Sequence, residues 1–122
     1  MYYDEDQWAL GGSQKADKSN TNLNGVWHVV SAGWYEVYPK YFGNNESMLH
    51  EAMDKARGGK FVEVPSKYPK SAWYTYNDKG CSYECQAHEY FYWILMANIN
   101  ALNLSYTDKC SPNDEWNICN RF

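Results

Sequence analysis

No stretch of this chain is long and apolar enough to span a bilayer: the longest apolar run, Tyr90 to Ala97, is under half the length required and leads into Asn98 and Asn100. That run reads as part of a buried core helix. Lysine and arginine are scattered rather than clustered and the formal net charge is −4, so the electrostatic footprint of a nucleic-acid binder is missing. The start, Met1 to Trp8, carries Asp4, Glu5 and Asp6 where a secretory leader needs a basic residue and an apolar stretch. Either a leader has been removed or the chain is not secreted by that route. Catalytic punctuation is also missing: there is no His-Glu-x-x-His, no Gly-x-Ser-x-Gly, no phosphate-binding glycine loop and no complete EF-hand. Nothing identifies a nucleophile.

What is abundant is aromatic. Twelve Tyr, six Trp and four Phe stand among 122 residues, so the excess is in rings that bury an apolar face while keeping a polar handle. Such rings fill cores, and they also suit half-wet surfaces and ligand clefts. With average apolar and charged content and a length suited to one core, the chain reads as one globular domain over 26–122 preceded by a polar arm over 1–25.

Along the chain, Val26 to Ala32 and Trp34 to Tyr38 are β-branched and aromatic and stop at Pro39, which predicts two strands about a Ser31-Ala32-Gly33 turn or one bent strand. Asn44, Asn45 and Ser47 can each cap a helix over 46–57, which carries Met48, Leu49, Ala52, Met53 and Ala56 at helical spacing and ends at Gly58-Gly59. Phe61 to Val64 reads as a short strand closed by Pro65, and Ala72 to Tyr76 as another. After a turn at Asn77 to Gly80, Ser82 caps a second helix from Tyr83 to about Leu102. The expected fold class is α+β: a small antiparallel or mixed sheet packed against a long helix in the C-terminal half, with a second shorter helix and a disulfide-pinned tail.

The cysteines carry the most legible chemistry. Cys81 and Cys85 open the long helix and Cys110 and Cys119 lie in the tail. Two cysteines four apart on one helix point the same way, so each is expected to bridge to the tail, in either pairing, with an oxidising and extracellular setting as the consequence. The competing reading is a zinc or other divalent metal site, because Cys81, Cys85 and His88 share one helical face and a tail cysteine could complete the set. Otherwise no cofactor is expected.

Of the histidines, His28 in its strand and His50 beside Glu51 are read as solvent-facing or singly hydrogen-bonded. His88, with Glu84 four residues before it and Glu89 after it, stands at the threshold of the apolar helix and is the candidate for an acid–base or metal site; the plainer reading is a helix-surface pair. On a strand over 72–76, Trp73 shares a face with Thr75, and Tyr74 with Tyr76, so Trp73, Tyr74 and Tyr76 are the candidate ligand contacts.

The function expected from these residues is a non-catalytic, extracellular binding or assembly domain whose partner is a glycan, an apolar small molecule or a protein. A metal-binding domain centred on His88 is the alternative, and a subunit of a homo-oligomer is a third. Denaturing mass spectrometry of the unreduced chain tests the cysteine chemistry: a mass about four protons light with no alkylation is expected for two bridges, and four alkylatable thiols with bound zinc would reverse it.

Overall fold

A computed structural model describes residues 21–43, 46–99 and 116–118 of the chain. Among these residues four helices and two short strands follow in the order α1 (Thr21–Val37), α2 (Pro39–Phe42), α3 (Met48–Ala56), β1 (Thr75–Tyr76), α4 (Tyr83–Asn98) and β2 (Trp116–Asn117). The class is α+β, as expected, with helix predominating.

The first difference from the sequence reading is α1. Val26 to Ala32 and Trp34 to Tyr38 are not strands; one helix spans Thr21–Val37, and the boundary expected at residue 25 falls inside it. The signal that decides is Trp27, Ser31 and Tyr35, four residues apart and therefore stacked on one helical face. That face packs on α4, with Trp27 edge-on to Phe91 at 5.3 Å and Tyr35 flat against His88 at 3.9 Å. Burial of these rings outweighs the modest helix penalty of the valines, which remain outside. Pro39 ends α1, because the residue before a proline is pushed out of helical geometry, and it opens α2.

α3 forms where its signals place it. Ser47 caps it, its hydroxyl accepting from the His50 backbone N–H, and Gly58 takes a left-handed φ of 81° just beyond its end. The buried face is nevertheless rotated from the expected stripe: Leu49, His50, Met53 and Ala56 are buried, while Met48 and Ala52 face out. Arg57 follows the stripe inward and is fully buried.

Arg57 is the hub. Its guanidinium donates to Asp54 Oδ1 through Nη2 at 2.7 Å and through Nε at 3.1 Å, to the Phe61 carbonyl at 2.8 Å, and to Gln86 Oε1 on α4. Gln86 in turn donates to the Val62 and Cys81 carbonyls at 3.1 and 3.0 Å. Tyr83 donates to the second Asp54 oxygen at 2.6 Å, and burial first, then this hydrogen bond and the Asp54 charge, hold the phenol protonated well above its ordinary range. This network explains why Phe61 to Val64 is not the expected strand: its carbonyls accept from Arg57, Gln86 and, at Val64, Lys79, so side chains occupy the places of a ladder partner.

The sheet is smaller than expected. Thr75 pairs with Asn117 and Tyr76 with Trp116, antiparallel, and this pairing ties residues 116–118 to the domain. Tyr74 stacks on Trp116 at 4.0 Å, and Trp116 lies 5.9 Å from Trp93, so the apolar middle of α4 is covered on this side. α4 ends at Asn98, short of the expected Leu102, which lies outside the described residues with Cys110 and Cys119.

Cys81 and Cys85 are bridged to each other, against the expected pairing with the tail. The geometric objection applied to two cysteines on a helix, but Cys81 precedes the N-cap Ser82 and is not helical. The chain there brings the two Cα atoms to 5.3 Å, inside the range a disulfide needs. A loop this short adds only about 2 kcal/mol by chain entropy. Its local effect is to lock the entry of α4.

Arg57→Ala should cost about 3–5 kcal/mol, because it leaves Asp54, Gln86 and the Phe61 carbonyl without their donor. Urea denaturation checks this against Lys55→Ala, an exposed neighbour expected to change stability by less than about 0.5 kcal/mol.

Candidate functional site

The crossing of α1 over α4 gathers most of the chain's titratable candidates. His28 on α1 and Glu89 on α4 meet with Nε2 2.9 Å from Oε1, both partly buried. Immediately before Glu89 on α4, His88 lies flat on Tyr35, their planes 1° apart. The Tyr35 hydroxyl shares a buried hydrogen bond with Ser31 at 3.1 Å. Glu84 stands with Oε1 4.0 Å from His88 Nε2. With Glu36, Ala32 and Cys85 they line an open groove of ≈450 Å³, which no Lys or Arg lines.

Burial dominates the electrostatics here. It drives the His88 pKa down to about 4, helped by the positive potential of His28 and His50 and opposed by Glu89. The imidazole is therefore neutral at pH 7, and the 4.0 Å approach of Glu84 is not a salt bridge. His88 Nε2 is buried with no hydrogen-bond partner. The Tyr35 phenol is raised by burial first, with the Glu89 and Glu84 charges adding and the Ser31 hydrogen bond opposing.

His50, read from sequence as solvated, is buried: its Nδ1 lies 2.8 Å from Ser47 Oγ and its ring lies 4.8 Å from that of Tyr83. Burial lowers its pKa, with Arg57 and Lys60 assisting and Asp54 and Glu84 opposing. It serves the cap of α3 and stands apart from the groove.

The other candidates separate. Trp73 is exposed at 61%, whereas Tyr74 and Tyr76 are both core residues at 4%. The alternation expected of this strand is therefore present, but its tyrosine face is filled by Trp116 and Tyr90 rather than left for a ligand. The metal reading loses its sulfur ligands, because Cys81 and Cys85 offer no thiolate while bridged. Among the described residues no three His, Cys, Asp or Glu side chains are arranged to hold a metal ion. Tyr35 and Glu36 escaped the sequence reading, and His28 was placed on a strand, because the three join the groove only if α1 is a helix, where positions seven and eight apart share a face.

Comparison with protein-family models, curated proteins and solved structures finds no match to this chain. Among the described residues no helix is long and apolar enough to cross a membrane. The groove is thus judged on its own chemistry: three carboxylates, two imidazoles and a phenol.

Acid should weaken the fold through His88. A histidine whose folded pKa is lowered contributes stability that is complete above its unfolded value near 6.5 and is lost as pH falls through that value toward about 4. His88→Phe keeps a ring on Tyr35 and removes the proton uptake, so it should lose about 2 kcal/mol less than the wild type between pH 7 and pH 4. Urea midpoints across that range check this; parallel pH profiles would remove His88 from the account.

Proposed function

We propose that this chain is a non-catalytic assembly domain of an extracellular or otherwise oxidising compartment, and that it joins a second copy of itself through the outward face of α1. The observation that carries the reading is on that helix: Val26, Val29, Val30 and Val37 are 48, 77, 54 and 67% exposed. At 100° per residue they fall, with Gly25 and Gly33, within one arc of about 140°. A Cβ placed on either glycine would meet nothing within 4 Å, so the interior gives no reason for them. Each glycine costs the helix about 1 kcal/mol relative to alanine. Close approach of a second helix is what such positions permit.

The outward face of α1 is low in charge: the molecule carries −4 overall, but α1 has no Lys or Arg and one carboxylate, Glu36, which falls within the same arc. An antiparallel meeting of two α1 helices sets valines against glycine notches and opposes the helix dipoles. A convex row of valines, extended past its end by exposed Tyr38 and Tyr41, suits another protein surface better than a sugar ring or an enclosed apolar ligand. The Cys81–Cys85 bridge supports the oxidising compartment.

The full chain should sediment as a dimer at micromolar concentration. Val29→Asp should yield monomer with unfolding free energy changed by less than about 0.5 kcal/mol, since the residue touches little of its own chain. A wild-type monomer at all concentrations, or a dimer that survives Val29→Asp, would remove the proposal.

A further inference from the structure

We propose that the Cys81–Cys85 bridge is a redox switch, opened by a dithiol that attacks Cys85, and that opening it loosens the entry of α4 where that helix meets the Arg57 network. The two cysteines are unequally placed. Cys81 is a core residue at 4% exposure, whereas Cys85 is partly exposed and lines the open groove. A nucleophile from solvent therefore meets Cys85 first. Cys85 also lies in the first turn of α4, where the positive end of the helix stabilises a thiolate and so favours the opened form.

The bridge joins residues only four apart and ties no distant segments together. The bend it closes is already held by other bonds. The Cys81 N–H donates to the Asp78 carbonyl at 3.3 Å, the Cys85 N–H to Ser82 Oγ at 3.2 Å, and the Gln86 N–H to the Ser82 carbonyl at 2.8 Å. The fold therefore outlasts the bridge. Its influence travels through one side chain, because Gln86 donates to the Cys81 carbonyl at 3.0 Å through Nε2 while its Oε1 accepts from Arg57. A closed bridge pins the carbonyl that orients Gln86; an open one lets Cys81 withdraw and leaves Gln86 less firmly held against the buried guanidinium.

The exchange balances in two steps. A thiolate of the dithiol attacks Cys85 Sγ, the Cys81–Cys85 bond breaks, and its electron pair leaves on Cys81 Sγ, which takes a proton. The second thiolate then attacks the dithiol sulfur bound to Cys85, and Cys85 leaves and takes the second proton. The dithiol closes to a cyclic disulfide, so two electrons and two protons have passed to the bridge. In an oxidising compartment the closed form is the resting state.

The test follows exchange on the native full chain at pH 7.5, with freed thiols alkylated and located by tandem mass spectrometry so that Cys110 and Cys119 are read separately. Dithiothreitol should open the bridge at a rate within about tenfold of that in the urea-unfolded chain. 2-Mercaptoethanol, quenched early, should leave its adduct on Cys85 and the alkylated thiol on Cys81. The opened chain should stay folded, melt about 5–10 °C lower and exchange the amides of residues 81–86 about tenfold faster. Cys81→Ser/Cys85→Ser should show the same melting and exchange with no thiol present. Reduction that requires urea, an adduct mainly on Cys81, unfolding of the opened chain or of the double variant, or unchanged exchange over 81–86 would each overturn the switch. The inference makes no use of the self-association of α1, and repeating the assay on Val29→Asp keeps the two readings apart.

Discussion

A guanidinium removed entirely from water organises this molecule. Burying such a charge costs several kcal/mol and is tolerated only where fixed acceptors replace the solvent. Arg57 finds them on three separate pieces of chain: Asp54 on its own helix, the Phe61 carbonyl in the following loop, and Gln86 on α4. Because Tyr83 binds the other oxygen of Asp54, the first turn of α4 is tied to α3 twice. The rings of Phe61 and Tyr83 lie 5.4 and 5.5 Å from the guanidinium carbon, which adds cation–π attraction and excludes water.

With α4 so placed, its apolar circumference must be covered from all sides, and aromatic rings do most of this. Trp116 and Tyr74 cover one flank against Tyr90 and Trp93. Trp27, Trp34 and Phe42 gather around Phe91 on another. The aromatic excess is thus largely structural. It also has a consequence for chemistry, because the rings that seat α1 on α4 bring His28 to Glu89 and Tyr35 to His88. The acidic groove is therefore a by-product of how a core is filled, and the valine arc is the part of α1 that this core leaves uncovered.

Much of the fold was legible. Ser47 and Ser82 each accept from the backbone N–H three residues on, which is the hydrogen bond their sequence positions foretell. Asp78 accepts from the Gly80 N–H at 2.9 Å, closing the expected turn. α1 was not legible, since four valines in the stretch favour a strand by local preference and only a partner helix reveals the four-residue spacing of Trp27, Ser31 and Tyr35 as the stronger signal. The groove followed that error: Glu84, His88 and Glu89 could be singled out on α4, but their partners on α1 could not.

Sequence by itself determined the elements that depend on neighbours a few residues away: the start of α3 and α4, the stop at Pro39, the turn at residues 77–80 and the alternation that sets Trp73 apart from Tyr74 and Tyr76. Tertiary structure alone decided whatever depends on residues distant in the chain. Arg57 is a surface residue by type and becomes the centre of the core because acceptors from α3, the loop and α4 converge on it. Cys81 bridges Cys85 because the bend before Ser82, and not helical geometry, sets their approach. Trp73 is left in water while Tyr74 is buried because Trp116, some forty residues later, returns to pack on one face of the strand and not the other.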